Sequence, residues 1–388
     1  MFIYLASFFA CFISSLIPSL RKNKRWVNTL LFALAVIMCF GYMTGSDWRS
    51  YERYYGWLAS PNPFEGLILE PGYILYSLAF ERMGFSFWPF FIITKLLLFY
   101  LLVRTIKKYS AENLLLVISF FFFFFGLFLF IDNPMRNLMA VCITLFSYKY
   151  LVERRFFFFL LIILLATCFH LSALLLLLVY PFYPIKMGSR KLLFLYFLFN
   201  VLFILTYRFL LLKFIGLFSF IPLVELKMNS YFIEGNELVD NSIVSFGFIV
   251  QVLFFLLIIW KREKLEAIKY GKLIFWGTIC YLFLYRVGLV IDIFYRFQLY
   301  FSVLYSVGIC SIVSFLIIKS NKLIYCSFLG FFLMFVTYKT ITSSYKYIPY
   351  TNYIPYLFEN ELPFDYRAQY NFMYSPYLKD DEKGYELD

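Results

Sequence analysis

The chain has 388 residues, of which 63% are hydrophobic and 24% aromatic, while only 15% are charged. A soluble protein of this length would carry about 25% charged residues, so the composition excludes a set of water-soluble domains. Uncharged stretches near or above the ~18 residues that mark a membrane-spanning helix recur along the chain. We therefore expect an all-α, polytopic integral membrane protein.

The predominantly apolar segments of the chain predict about ten transmembrane helices. In chain order they cover residues 2–18, 26–43, 87–103, 113–131, 134–152, 192–212, 242–260, 273–290, 295–318 and 322–341. The first lacks a basic segment before it and a cleavage site after it, so we expect it to be retained. Residues 71–83 should form a further helix that dips into the interface on the outward side. Residues 1–341 are thus interpreted as one transmembrane domain with outward loops at 44–87 and 213–240, and residues 342–388 as a Tyr-rich, acidic periplasmic tail.

The net charge of +12 reflects the orientation of the chain in the membrane, because more than half of the 35 Lys and Arg residues lie in six short segments between predicted spans. These are Arg21–Arg25, Arg104–Lys108, Lys149–Arg155, Lys186–Lys191, Lys261–Lys272 and Lys319–Lys322. Basic loops remain on the cytoplasmic side, so both termini and the intervening loops should face outward. Positive charge scattered over six loops gives no support for binding to nucleic acid.

The uncharged stretch 156–185 lies between two basic segments, so it must enter and leave the membrane on the same side. Thirty residues are too many for one upright span and too few for two. A re-entrant pair of half-helices fits best, with its apex near Phe169-His170-Leu171-Ser172. Irregular backbone at membrane depth is tolerated where it lines a cavity or is buried in protein, so the apex is a candidate site.

The sequence contains no Walker loop, no dinucleotide-binding glycine motif and no His-Glu-x-x-His. It has one His, and its seven Cys lie in apolar segments without a Cys-x-x-Cys pair. We therefore predict no cofactor and no metal, and interpret the cysteines as packing residues. Any chemistry must depend on Arg, carboxylates, Tyr and the single His.

Arg136 should lie in the first turn of a helix that begins on the outward side of the membrane. Asn133 would be the N-cap of this helix and Pro134 its first residue. A cation there opposes the helix dipole, which makes sense if Arg136 and the backbone amides bind an anion such as a diphosphate. Alternatively, Arg136 extends to lipid headgroups or pairs with Asp132.

Arg286, Asp292 and Arg296 form a second ionisable cluster near a late outward turn. Such residues at the ends of apolar helices are costly unless paired or functional, so they are either a phosphate clamp or a structural Arg–Asp–Arg pairing. His170 is either a general base near neutral pH or a polar group that holds the re-entrant bend.

The first outward loop combines carboxylates with aromatic rings, namely Asp47, Trp48, Tyr51, Tyr54, Tyr55, Trp57, Glu70 and Tyr73. Flat rings with nearby carboxylates suit a sugar-binding surface. An interfacial aromatic belt would place the rings at the same depth, but it explains Asp47 and Glu70 less well.

Taken in order, these motifs resemble those of the EpsG family of Wzy-like polymerases of bacterial surface polysaccharide. The resemblance covers residues from about 40 to 305. It is carried by Gly-Ser-Asp47 with Tyr51, Glu70-Pro-Gly-Tyr73, Arg136 opening a helix that ends at Glu153-Arg154-Arg155, Ala166-Thr-Cys-Phe-His170-Leu-Ser172-Ala, and Arg296-Phe-Gln-Leu-Tyr300-Phe.

The resemblance implies a GT-C-like glycosyltransferase architecture in the bacterial inner membrane, with the active site toward the periplasm. The implied reaction transfers a glycan from an undecaprenyl diphosphate carrier to a second lipid-linked repeat unit. The implied partners are these two substrates, membrane lipids and a chain-length-regulating co-polymerase.

The leaving group would be a lipid diphosphate, so the site needs cations and one base but no metal. Arg136 and Arg296 match the family pattern as diphosphate ligands, and Arg286 is added for its proximity in sequence. His170 is the preferred base, with Asp47 or Glu70 as alternatives. The candidate sugar-binding residues are Trp48, Tyr51, Tyr73 and Tyr300.

Two other functions are compatible with many spans and buried Arg. A flippase or other transporter for lipid-linked oligosaccharides should show internal repeats and charges at the bilayer midplane. A membrane O-acyltransferase would use a His and an Arg, but it would need access to a cytoplasmic acyl donor.

Overall fold

The computed structural model describes residues 1–60, 69–110, 113–183, 186–218, 245–289 and 292–376. The described residues do not include most of the predicted outward loop at 213–240, residues 61–68 of the predicted loop at 44–87, or residues 377–388 of the tail. They also lack residues 290–291, which belong to the late outward turn near Arg286 and Asp292. The described residues form two compact units. The first comprises those of Met1–Tyr150, Phe157–Leu174 and Leu316–Asp388, and the second those of Leu151–Phe156 and Leu175–Phe315.

Nearly all regular structure in the described ranges is helical. The α-helices are α1 (Phe2–Leu16), α2 (Pro18–Lys22), α3 (Lys24–Cys39), α4 (Trp48–Trp57), α5 (Pro71–Arg82), α6 (Phe87–Tyr109), α7 (Leu114–Phe121), α8 (Met135–Thr144), α9 (Ser147–Val152), α10 (Phe156–Thr167), α11 (Val179–Phe182), α12 (Ser189–Phe218), α13 (Phe246–Trp260), α14 (Arg262–Ala267), α15 (Gly271–Gly288), α16 (Asp292–Gln298), α17 (Ser302–Phe315), α18 (Lys319–Thr342) and α19 (Phe364–Tyr374). A π-helix covers Phe122–Asp132, and 3₁₀-helices cover Leu171–Leu178, Leu299–Phe301, Tyr345–Tyr347 and Ile354–Leu357.

The prediction of an all-α protein with membrane-spanning helices is confirmed. Within the described ranges, five continuous helical stretches are long and apolar enough to cross a membrane, namely Phe87–Tyr109, Leu114–Asp132, Ser189–Thr206, Phe294–Phe315 and Lys319–Thr342. Shorter apolar helices occupy Phe2–Leu16, Phe156–Thr167, Leu171–Phe182 and Phe246–Trp260. The number of ten crossings and the GT-C-like architecture stay predictions.

The described part of the stretch 156–185, residues 156–183, folds back on itself. Helix α10 ends at Thr167, and after a break the chain continues through the 3₁₀-helix Leu171–Leu178 into α11. At the open end, Arg154 donates hydrogen bonds to the carbonyls of Tyr180 and Tyr183, and the Tyr180 hydroxyl donates to the Arg154 carbonyl at 2.6 Å. The two ends of the stretch therefore meet, as a re-entrant hairpin requires.

A re-entrant hairpin places both of its flanks on the same side of the membrane, and the basic residues of these flanks predict that this side is the cytoplasm. In a Cys-free background, single cysteines at Arg155 and Ser189 should both resist an impermeant thiol reagent applied from the periplasmic side, because the two flanks carry the basic residues that remain inside. The measurement is labelling in intact cells, with full labelling after permeabilisation as the control. Labelling of position 189 from outside would make this stretch a single tilted span.

The π-helix Phe122–Asp132 leads into a short turn before α8. Its last backbone bond runs from the Asn133 amide to the Phe128 carbonyl, five residues back, at 3.1 Å. Asn133 then takes a left-handed conformation with φ 68°, and α8 begins only at Met135. The prediction of Asn133 as N-cap is wrong, because its side-chain amide instead donates to the carbonyls of Ile131 and Thr44 at 2.6 and 3.4 Å.

The tail packs within the first unit through a short two-stranded antiparallel sheet. Strand β1 (Gly41–Tyr42) pairs with β2 (Thr351–Asn352), with Gly41 opposite Asn352 and Tyr42 opposite Thr351. The Tyr353 amide adds a bond to the Phe40 carbonyl at 2.8 Å. The tail is thus joined to the segment between α3 and α4.

Candidate functional site

Arg136, in the first turn of α8, is held by two residues from the predicted outward loop at 44–87. Its Nη1 donates to Glu70 Oε2, and its Nε donates to the Tyr51 hydroxyl at 3.4 Å. The side chains of Arg136 and Glu70 are 23% and 11% exposed. The predicted alternative pairing of Arg136 with Asp132 is not the one in the structure. Arg136 instead forms a half-buried ion pair that can still be reached from solvent.

Three tyrosines surround this ion pair. The ring centroid of Tyr73 lies 5.3 Å from that of Tyr51 and 6.1 Å from that of Tyr54, and all three side chains are buried. Burial raises the pKa of Tyr54 to about 12 and also raises the pKa of Tyr51 and of Tyr73, so all three are neutral hydroxyls at physiological pH. The buried Tyr54 hydroxyl has no hydrogen-bond partner among the described residues. Such a group is satisfied when water or a ligand fills the cluster.

The loop Gly45-Ser46-Asp47 lies directly before α4 and is fixed by Asp132. Asp132 Oδ1 accepts bonds from the Ser46 amide and hydroxyl at 3.2 and 2.8 Å. Gly45 has φ +83°, and a Cβ atom there would lie 2.0 Å from the Ile131 carbonyl oxygen, so only glycine fits. Asp47 is thereby held at the start of the helix that carries Tyr51.

Glu70-Pro-Gly72 opens α5 in contact with the tip of the hairpin. The Gly72 amide donates to the Cys168 carbonyl at 2.8 Å, and a Cβ atom on Gly72 would lie 2.7 Å from that oxygen. Glycine is therefore required for this approach of two backbones. The contact joins the segment that carries Glu70 to the segment that carries His170.

His170 is buried at the hairpin tip and is oriented by Ser172. Its Nδ1 lies 2.7 Å from Ser172 Oγ and accepts a bond from the Ser172 amide at 3.3 Å. A backbone N–H can only donate, so a neutral ring in this position carries its proton on Nε2. A neutral His170 ring in this position can therefore donate a hydrogen bond only through Nε2.

The predicted sugar-binding residues Trp48, Tyr51, Tyr73 and Tyr300 are all buried. The ring of Trp48 packs against those of Trp88 and Phe364, at centroid distances of 5.3 and 6.0 Å. Neither ring face of Trp48 is therefore open to solvent in this structure. Their role in sugar binding stays a prediction.

Arg286, Arg296 and Tyr300 belong to the second unit. Arg286 is buried near the end of α15, with its guanidinium carbon 4.2 Å from the centroid of the Phe248 ring. Arg296 is half-buried in α16. The Asp292 side chain lies outside the described part of the chain, so the predicted Arg–Asp–Arg pairing stays a prediction.

Among the predicted site residues, the first unit brings Arg136, Glu70, Tyr51 and Tyr73 into direct contact. Reasoning from the sequence named Tyr54 only as one of several aromatic residues in the predicted outward loop at 44–87, and it missed Lys346. Lys346 Nζ lies 3.3 Å from Asp132 Oδ2, although 214 residues separate the two in the chain. Tyr54 could have been singled out from its spacing, because residues three apart share a helix face and Tyr51 was already a candidate. In the described ranges, no three His, Cys, Asp or Glu side chains are grouped so as to hold a metal ion.

Comparison with known protein families gives a match to the EpsG family over residues 24–358. Comparisons with curated proteins and with solved structures give no match. The matched residues include Arg136, its partners Glu70 and Tyr51, and the hairpin tip at His170. The long apolar helices indicate a multi-pass membrane protein. Because the family match covers most of the chain, the chain belongs to the EpsG family, whose members are related to the Wzy-like polymerases of membrane polysaccharide biosynthesis.

Proposed function

We propose that this protein joins undecaprenyl-diphosphate-linked oligosaccharide repeat units at the outer face of the bacterial inner membrane. The acceptor hydroxyl attacks the sugar carbon attached to the donor diphosphate. A new glycosidic bond forms, the old bond to the diphosphate oxygen breaks, and the lipid diphosphate leaves with the electron pair. The chemistry therefore requires a cation at the diphosphate and a base for the acceptor proton.

The observation that carries this proposal is the ion pair between Arg136 and Glu70, surrounded by neutral tyrosines. A guanidinium offers several N–H donors in a fixed plane and suits two phosphate oxygens at once. Because the site is largely buried, the interaction with an anion is stronger than it would be in water. A bound diphosphate would take the place of the Glu70 carboxylate on Arg136.

This exchange supplies the base. Once the diphosphate neutralises Arg136, the Glu70 carboxylate is released and can accept the proton of the acceptor hydroxyl. We therefore favour Glu70 over His170 and Asp47 as the base. Since Nδ1 of His170 is occupied by Ser172, we assign His170 the role of a donor that holds the substrate through Nε2. Arg296 and Arg286 are retained as further candidates for binding diphosphate.

Two substitutions of His170 distinguish a donor at Nε2 from a base. The amide nitrogen of Gln reaches the position of Nε2, whereas that of Asn reaches only the position of Nδ1. We expect His170→Gln to retain more than about a tenth of the polymerisation rate, while His170→Asn loses roughly 10²-fold. The rate is measured on purified protein after membrane abundance has been checked. Equal and complete loss in both variants would restore His170 as the base.

The glycan on the surface of a deletion strain tests the proposed function. Loss of a polymerase should leave single repeat units on the lipid anchor, because each unit is still made and exported. Loss of a flippase would leave none. Full-length polymer that lacks only acyl groups would instead indicate an O-acyltransferase.

A further inference from the structure

Helix α4 presents two different faces within the first unit. Tyr51 and Tyr54 face the ion pair, through Arg136 and the Tyr73 ring respectively. The opposite face contacts the tail: Glu52 pairs with Arg367, Arg53 lies 5.0 Å from the Phe364 ring centroid, and Arg49 lies 6.0 Å from that of Tyr345. With 3.6 residues per turn, these two sets lie on different sides of one helix.

The contact between Glu52 and Arg367 has the geometry of a strong ion pair. Arg367 donates from Nη1 and Nη2 to the two oxygens of Glu52 at 2.6 and 2.8 Å, and from Nε to the Leu362 carbonyl at 2.6 Å. Arg367 is only 5% exposed. Its guanidinium carbon lies 5.6 to 5.9 Å from the ring centroids of Tyr42, Trp48, Trp88 and Phe364. All three guanidinium nitrogens of Arg367 therefore donate hydrogen bonds, and aromatic rings surround the guanidinium group.

The tail also holds the loop that precedes α4. The Lys346 carbonyl accepts bonds from the Gly45 amide at 2.8 Å and from Asn371 Nδ2 at 3.0 Å. The Lys346 ammonium pairs with Asp132, the same carboxylate that binds Ser46. Asn371 and Arg367 lie four residues apart in α19, so one helix of the tail is linked both to the loop at Gly45 and to α4.

We propose that the C-terminal tail, acting through Arg367 and Glu52, positions α4 and thereby Tyr51, which binds Arg136. Arg367 is a positioning residue, because it contacts Glu52 rather than Arg136. It lies beyond residues 24–358, which the EpsG family match covers. The link to activity rests on the proposed function, whereas the link between Arg367 and the order of α4 does not.

The Glu52 side chain is 16% exposed. A largely buried carboxylate that loses its paired guanidinium is left poorly compensated, and the helix that carries it is expected to shift or open toward water. Displacement of a site residue by about 1 Å can lower a rate roughly 100-fold. The tail would therefore act on the site without contacting substrate.

The experiment compares Arg367→Gln with Arg367→Lys and with the control Asp365→Asn, an exposed residue of the same helix α19. Hydrogen exchange of the purified full-length proteins reports on the order of α4. We expect amides of Trp48–Trp57 to exchange about tenfold or more faster in Arg367→Gln, less so in Arg367→Lys, and unchanged in Asp365→Asn. Exchange in α4 that stays unchanged in Arg367→Gln would overturn the proposal.

Kinetics then separate positioning from loss of folded protein. We expect Arg367→Gln to raise the KM for the lipid-linked donor about tenfold, since Arg136 is displaced, and Arg367→Lys to restore part of it. A smaller fraction of folded enzyme lowers the apparent kcat but cannot raise KM. An unchanged KM in Arg367→Gln would overturn the role in the site. If the wild-type protein makes no polymer, the proposed function fails, and the exchange measurement alone still decides whether Arg367 orders α4.

Discussion

Replacing Arg136 with Lys is expected to lower the rate of glycan transfer by about 10²–10³-fold. In the structure two different nitrogens of Arg136 are used, Nη1 by Glu70 and Nε by Tyr51. A Lys side chain offers one ammonium group, which cannot occupy both positions or bind two phosphate oxygens in one plane. The measurement is single-turnover transfer between lipid-linked repeat units on purified protein.

The control for this variant is Arg155→Lys, because Arg155 is exposed and pairs with Glu153 outside the site. If Arg296 binds the same diphosphate, Arg296→Lys should also be impaired. The double substitution should then raise the activation free energy by less than the sum of the two single substitutions, because both residues act on one leaving group. Wild-type activity in Arg136→Lys would reduce Arg136 to a structural partner of Glu70.

Replacing Glu70 with Gln is expected to have opposite effects on turnover and on binding of the donor. Turnover should fall by about 10²–10⁴-fold, because an amide cannot accept the proton of the acceptor hydroxyl. Binding of undecaprenyl diphosphate should become tighter, since Arg136 is no longer neutralised by a carboxylate that the diphosphate must displace. Binding can be measured by calorimetry in detergent and turnover by product formation.

The matched control for Glu70→Gln is Glu359→Gln, an exposed carboxylate in the tail. We expect Glu359→Gln to leave both the turnover and the binding of undecaprenyl diphosphate unchanged. Weaker binding of the diphosphate by Glu70→Gln would show that Glu70 serves to orient Arg136. The base would then have to be sought at Asp47 or His170.

Hydropathy and charge were sufficient to predict an all-α protein with long apolar helices, and they placed a break in the helix near His170. The number of ten membrane crossings stays a prediction, and the predicted span 134–152 is divided between Met135–Thr144 and Ser147–Val152. Apolar runs leave little choice of secondary structure in a membrane, and basic residues fix the side on which each run begins and ends. The parity of the stretch 156–185 therefore predicted a hairpin, whose two ends meet at Arg154 and Tyr180. The division of these elements between two compact units could not be predicted in this way, because no local pattern in the sequence indicates it.

The partners within the site could not be predicted in the same way. Arg136 and Glu70 are 66 residues apart, and a carboxylate closer in sequence, Asp132, was the apparent partner. Asp132 is instead occupied by Ser46 and Lys346. The role of Arg367 depends on a contact with Glu52 across 315 residues, and the tail appeared in the sequence only as a segment rich in Tyr and acidic residues. Pairings over such distances follow from packing, which composition and spacing do not encode.

The most direct test uses the purified protein in liposomes with one defined undecaprenyl-diphosphate-linked repeat unit and no other substrate. A polymerase that uses the lipid diphosphate as leaving group should produce glycans of two and more repeats on the lipid, and should release one lipid diphosphate for each glycosidic bond formed. Movement of the intact lipid-linked unit across the bilayer without any new glycosidic bond would contradict the proposed function.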